Sequence, residues 1–133
     1  MTHILGVHHV NLTVTDLDRS VAWYCDVLGL QRGWEVNDES TGHHKVALLV
    51  PDSTLRLVLS HHRNGSEEAF DETRTGLDHL AFTVADLADL EEWQRRFESK
   101  GVDHSPIKEG ATGMLITFRD PDNIQLEMYT VSK

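Results

Sequence analysis

Two histidines and one glutamate carry the chemistry that this chain most plainly offers. His9 and His79 occupy equivalent places in a repeated phrase: Gly6-Val-His-His-Val-Asn-Leu-Thr-Val-Thr-Asp-Leu17 returns seventy residues later as Gly76-Leu-Asp-His-Leu-Ala-Phe-Thr-Val-Ala-Asp-Leu87. A repeat this long marks duplicated supersecondary units. A histidine repeated at one structural position suggests two ligands facing each other across a pseudo-twofold axis. Glu127 stands between Leu126 and Met128, where a buried carboxylate without a partner would be costly, so a nearby cation is its natural explanation. A lone strand histidine is more often a hydrogen-bonded core residue, and a strand glutamate can simply be exposed. Repetition together with Glu127 favours ligands. Two neutral imidazoles and one carboxylate converging in a cavity form a 2-His-1-carboxylate set, which suits Fe(II) or another divalent metal with open positions for substrate.

The elements that must position these residues follow from periodicity. Val7 to Val14 alternates with the strand period, placing Val10, Leu12 and Val14 on one face and His9, Asn11 and Thr13 on the other. Asp16 offers a helix N-cap, and Leu17, Val21, Tyr24 and Leu28 keep helical spacing up to a stop at Gly29. Strands are expected near Gln31–Asn37, His44–Val50 and Leu55–Ser60, with turn residues between them. The second half repeats the plan: a strand at Leu77–Val84, a helix from an Asp86 cap through Phe97, and strands near Val102–Ile107, Met114–Arg119 and Ile124–Thr130.

The expected architecture is therefore α+β, two tandem βαβββ modules. Four mixed strands leave open edges, so pairing two modules edge to edge gives a curved eight-stranded mixed-sheet cup. One domain over residues 1–133 is expected, with module one at about 4–61, a polar linker at 62–75 and module two at about 76–131. Phe70, the one large apolar residue in that linker, could make it a lid.

Composition narrows the setting. A formal net charge of −10 lacks the term that neutralises phosphate, so neither nucleic acid nor an anionic membrane is an expected partner. The single cysteine, Cys25, excludes an intrachain disulfide and fits a reducing cytoplasm. No apolar run approaches the ~20 residues of a membrane span, and the first ten residues lack the features of a signal peptide. A soluble cytoplasmic protein is expected.

Strand alternation also sorts the remaining candidates. Gln125, Glu127 and Tyr129 share one face of the last strand, opposite Ile124, Leu126 and Met128; Arg56, Val58 and Ser60 share one face opposite Leu55, Leu57 and Leu59. The apolar faces need the two helices over them, which leaves the polar faces to line the cup. Arg56 could grip a substrate carboxylate bidentately or pair with one of the twenty-two acidic residues. Asn11, Val58 and Tyr129 are further candidates for substrate contact. His8 alternates off the metal face and is expected against a helix. His61 and His62 read as a surface pair, and Trp23, Tyr24 and Trp93 as helix residues of the core or an interface.

These residues resemble the vicinal oxygen chelate superfamily, which includes glyoxalase, bleomycin-resistance protein and extradiol dioxygenase. The resemblance rests on the paired His9 and His79, on Trp23-Tyr24 followed by Val27-Leu-Gly-Leu30, and on the closing Phe118-Arg-Asp-Pro-Asp-Asn-Ile-Gln-Leu-Glu127. It covers nearly the whole chain. It implies that His9, His79 and Glu127 bind one divalent metal, with Fe(II) preferred and Mn(II), Zn(II) or Ni(II) accepted. It also implies a homodimer, since members often dimerise and some build the site from two subunits. The repeat places Val58 where metal-binding glyoxalases carry a second glutamate, which counts against glyoxalase I activity. The cationic, serine-rich loop of fosfomycin-resistance transferases reads here Ile107-Lys-Glu-Gly-Ala-Thr-Gly-Met114. His43-His44-Lys-Val-Ala-Leu48 looks like the element that supplies an acid/base histidine in extradiol dioxygenases, which would make His44 catalytic. The tyrosine those enzymes place before the glutamate is replaced by Thr117.

The expectation drawn from residues and resemblance together is a metal-dependent enzyme acting on a small substrate that chelates the metal through vicinal oxygens, most simply by extradiol-type ring cleavage. A glyoxalase-like lyase or epimerase is the alternative within the same class. A metal-free drug- or ligand-binding protein, like bleomycin-resistance proteins, is the alternative outside it.

Overall fold

In a computed structural model, residues 1–131 are described. They form two helices and eight strands, divided into two compact units, Met1–Glu68 and a second beginning at Ala69. The division falls within the polar segment 62–75.

The first unit contains β1 (Val10–Thr13), α1 (Leu17–Leu28), β2 (Gln31–Asp38), β3 (His43–Leu49) and β4 (Arg56–His62). Its sheet runs β1-β4-β3-β2, with β1 parallel to β4 and the other neighbours antiparallel. The second unit contains β5 (Leu80–Val84), α2 (Leu87–Ser99), β6 (Lys108–Glu109), β7 (Met114–Arg119) and β8 (Gln125–Thr130), in a sheet ordered β5-β8-β7-β6 with the same pattern of directions. Each unit is thus βαβββ, and each four-stranded mixed sheet is open rather than closed into a barrel.

Local chemistry explains the helix bounds. The Asp16 carboxylate accepts the Arg19 N–H at 3.1 Å, and Gly29 ends α1 in the left-handed conformation at φ 72°, which costs a glycine nothing. Asp86 caps α2 in the same way, accepting from Asp89 N–H at 3.0 Å. Both helices cover the apolar face of their own sheet. In the first unit Leu17, Val21, Tyr24, Val27 and Leu28 meet Val46, Leu48, Leu57 and Leu59, all buried. In the second, Leu90 and Phe97 pack over β7 and β8, with the Phe97 and Phe118 rings 4.4 Å apart. Trp23 and Trp93 are only half-buried. No helix among the described residues is long and apolar enough to cross a membrane.

Three expectations need correction. The strands expected from Val7 and Leu77 begin at Val10 and Leu80, because their partners β4 and β8 begin only at Arg56 and Gln125 and leave nothing upstream to pair with. The strand expected at Val102–Ile107 is reduced to a His104–Phe118 bridge, and pairing resumes at β6. Pro106 lies between and has no N–H to give a ladder. His8 is exposed rather than packed against a helix. The strand alternation that placed it there does not extend upstream of Val10.

Candidate functional site

The register makes the two units equivalent at the positions that matter. In the first, Asn11 of β1 lies beside Val58 of β4; in the second, Ala81 of β5 lies beside Glu127 of β8. His9 and His79 each sit one residue before the strand that carries Asn11 or Ala81. Val58 is therefore the first unit's counterpart of Glu127, and of these two equivalent positions the second unit's carries the carboxylate.

That second-unit pair sets an imidazole beside a buried carboxylate. Glu127 is buried. Its Oε1 takes a 3.4 Å contact from the Gln125 amide, and its Oε2 lies 3.7 Å from His79 Nε2. On the other side of the ring, His79 Nδ1 is 2.7 Å from Asp78 Oδ1. Asp78 can only accept, so Nδ1 carries a proton toward it, and Nε2 is the ring nitrogen that faces the Glu127 carboxylate. An imidazole and a carboxylate side by side could together hold a cation, and a carboxylate behind a ligating imidazole is the usual support of such a site. The donor set of imidazole nitrogen and carboxylate oxygen suits a divalent transition metal. Within neither unit do three His, Cys, Asp or Glu side chains gather to hold a metal among the described residues.

The first unit instead forms a pocket. Its volume is about 180 Å³, and His8, His9, Asn11, Trp34, Lys45, Ala47, Arg56 and Val58 line it. Sheet alternation explains the membership: Ala47 pairs with Val58, Asn11 pairs with Val58, and Lys45 and Arg56 lie on the same face two residues away in opposite directions, Lys45 level with Ser60 and Arg56 level with Leu49. Val58 is buried and forms part of the floor. Trp34 reaches the pocket from a bulge, where the β2–β3 register shifts between Arg32 and Glu35. The Ser60 hydroxyl donates to Asn11 Oδ1 at 2.7 Å, so the Asn11 amide group is left as a donor. The Lys45 ammonium lies 5.8 Å from the centre of the Trp34 ring. Arg56 makes no ion pair with any described carboxylate, so of its two expected roles the structural salt bridge is not the one found. His8 stands edge-on to His9, with the two Nδ1 atoms 2.9 Å apart.

The other sequence candidates lie elsewhere. His44 is not among the pocket-lining side chains. Its Nε2 bonds Glu35 Oε1 at 2.7 Å, and Arg32 reaches the same oxygen at 3.2 Å. His44 first and Arg32 second hold the Glu35 carboxyl below its ordinary range. Tyr129 lies in the second unit, where its Oη accepts the Thr112 N–H at 3.3 Å, a bond that lowers the phenol's pKa. Gly110 is required above it, because a Cβ there would collide with the Tyr129 hydroxyl. His62 stacks on His43 with ring centres 4.4 Å apart, while His61 is half-buried.

Several residues without an earlier role also stand out. Lys45 and Trp34 line the pocket, and Asp78 supports His79. Lys45 was legible by its parity with Ala47, and Asp78 by its place next to a repeated histidine; Trp34 was not, because the bulge breaks the alternation. Arg119 grips Glu72 through two bonds of 2.8 and 3.1 Å, and that guanidinium lowers the Glu72 pKa to about 2. Phe70 donates its N–H to Asp122 O at 2.8 Å, and its own carbonyl accepts from the Asn123 amide at 3.0 Å. The segment expected as a lid is thus fastened to β7 and the turn that follows it.

With fold and site on the page, comparison with known proteins places the chain. Residues 6–128 match the Glyoxalase/Bleomycin resistance protein/Dioxygenase superfamily, and the chain belongs to that family. It is 36% identical to a solved glyoxylase/bleomycin resistance protein/dioxygenase domain from Frankia sp. EAN1pec, with a TM-score of 0.88, over 98% of this chain and 94% of that one. It is 32% identical to protein YwkD of Bacillus subtilis, covering 93% of this chain and 95% of the relative. It is also 32% identical to biphenyl-2,3-diol 1,2-dioxygenase 3 of Rhodococcus globerulus, covering 96% of this chain but 64% of that enzyme. The same fold, at 20% identity and a TM-score of 0.71, is seen in the fosfomycin resistance protein FosX of Listeria monocytogenes, a mutant of which was solved with Mn(II), over 98% of this chain and 95% of that one.

Proposed function

We propose that this protein is a metal-dependent enzyme acting on a small molecule that presents two vicinal oxygens, with extradiol-type ring cleavage as its reaction and Fe(II) as its metal. The observation that carries this is the His79–Glu127 pair, a buried carboxylate facing an imidazole whose far nitrogen is already anchored. His79, Glu127 and His9 are the proposed ligands, in a chain proposed to work as a homodimer. The similarity to a biphenyl-diol dioxygenase over nearly the whole chain supports the choice of reaction.

A divalent metal held there supplies Lewis-acid activation of the substrate's two oxygens. The chain's own residues do the rest. Trp34 and Val58 give a ring-sized substrate apolar walls and exclude water, and the Asn11 amide offers a hydrogen bond in a fixed direction. His44 is engaged by Glu35, which favours a role in holding β2 to β3 over that of proton shuttle.

Val58 in place of a second carboxylate disfavours the glyoxalase-like alternative. The drug-sequestering alternative, attractive for a cationic drug in so acidic a chain, finds no carboxylate in the pocket. The test is metal content after anaerobic Fe(II) loading. About one iron per chain, lost in His79→Ala, is the expected result; full metal retention in that variant would sink the ligand assignment. Turnover of a catechol only in the presence of O₂ would then separate ring cleavage from isomerisation.

A further inference from the structure

The charged side chains that line the first-unit pocket are both cations, in a chain that is otherwise strongly acidic. The protein has twenty-two Asp and Glu against twelve Lys and Arg, yet the pocket lining contains Lys45 and Arg56 and no carboxylate. Chance placement of charge in such a composition favours the opposite. Arg56 has no carboxylate partner among the described residues. Asn11 adds a donor, since the Ser60 hydroxyl donates to its carbonyl oxygen and orients its amide NH2 as a group that can bond a ligand.

Around these donors the walls are apolar. Trp34 is 46% exposed in total, a large ring left beside a cavity, and Ala47 and Val58 are buried beneath it. A volume of about 180 Å³ admits one six-membered ring, since apolar cavities of ~150 Å³ accept benzene. A guanidinium recognises a carboxylate by two parallel bonds, and a lysine adds a point charge without such a geometric demand.

We infer that this pocket binds the carboxylate of a single-ring substrate, with Arg56 gripping the anion, Lys45 adding its charge from the other end of the pocket and Trp34 covering the ring. The inference deepens the enzymatic reading and rests on it in one respect. If His9 is a metal ligand, a substrate chelated beside His9 lies next to Arg56, which precedes Leu57 on β4 as His9 precedes its partner Val10 on β1. The substrate class is then an aromatic vicinal diol bearing an acid group, rather than a neutral diol.

The binding step is testable without metal. Chelator-treated protein is titrated with benzoate and with benzamide, which has the same shape without the charge, following tryptophan fluorescence and heat. Benzoate is expected to bind at least about tenfold more tightly than benzamide, the scale of a single charge-assisted hydrogen bond. The preference should vanish in Arg56→Gln combined with Lys45→Gln, two surface changes whose folding is checked by circular dichroism. It should persist in His79→Ala, so that failure here is separable from failure of the metal assignment. Inorganic phosphate, which has charge but no ring, is expected to displace benzoate at least tenfold less well than unlabelled benzoate does. Equal affinity for benzoate and benzamide in the unaltered protein would overturn the proposal. So would a preference that survives the double substitution, or equally effective displacement by phosphate.

Discussion

The imidazole of His79 is backed by the carboxylate of Asp78, with Nδ1 and Oδ1 2.7 Å apart. Seventy residues earlier the same relation recurs with a different partner, His8 standing 2.9 Å from His9 through their Nδ1 atoms. In both units the residue preceding the repeated histidine occupies that ring's Nδ1, which directs Nε2 to any outer ligand. The two supports are unequal, because a carboxylate can only accept whereas a neutral imidazole can accept or donate. His79 is thus the histidine whose Nδ1 faces a partner that can only accept.

Replacing that support should weaken metal binding without unfolding the chain. For Asp78→Ala we expect metal affinity to fall by about tenfold, the lower end of the range for supporting carboxylates, since the His79 side chain is 40% exposed. Competition against a chromogenic chelator measures it, and the same change at His8 should cost less. An unchanged affinity in Asp78→Ala would remove the orienting role.

The equivalence of Val58 and Glu127 predicts the outcome of restoring a carboxylate. Val58→Glu places an acid in a buried position, so the metal-free variant should lose on the order of 2 kcal/mol of stability. Added Mn(II) or Zn(II) should raise its melting temperature more than it raises that of the unaltered protein, because binding to the native state alone stabilises it. Differential scanning fluorimetry with and without metal decides this. If metal brings the variant no extra gain, the two positions are not chemically equivalent.

The core offers a simpler check. Phe97 is fully buried against Phe118, so Phe97→Ala should cost about 3–5 kcal/mol in urea denaturation. Trp93 is half-buried with Arg96 over its ring, and its replacement by alanine should cost clearly less. Equal losses would mean that the α2 face has been assigned wrongly.

How far these features could be read from sequence depends on the range of the interaction behind each. The helices were legible to the residue at Asp16, Gly29 and Asp86, because a cap is settled within four residues. The correspondence of Val58 with Glu127 was legible through the repeat before any register was known, whereas the pairing of β1 with β4 and of β5 with β8, set by contacts distant in sequence, was not. Trp34 was hidden because a bulge reverses the face that alternation assigns. The Glu72–Arg119 pair was hidden for a different reason. Forty-seven residues separate the two, and in a chain so rich in acids nothing local marks Glu72 as the partner. His8 misled because alternation was extended past the point where a neighbouring strand enforces it.

The Glu72–Arg119 pair leads to a prediction about pH. Arg119 holds the Glu72 carboxyl at about 2 in the folded protein, against an ordinary value of 4.5. A carboxylate with a depressed folded pKa binds fewer protons folded than unfolded, so its stabilising effect is fully present above pH 4.5. That effect is lost progressively as pH falls from 4.5 towards 2. Glu72→Gln removes the charge at every pH. The difference in melting temperature between the unaltered protein and Glu72→Gln should therefore be greatest near neutrality and shrink steadily below pH 4.5. Screening makes the absolute difference small for so exposed a pair, and high salt should reduce it further. A difference that stays constant from pH 7 to pH 3 would show that the bidentate contact contributes packing alone, and that Glu72 fastens the segment before β5 without its charge.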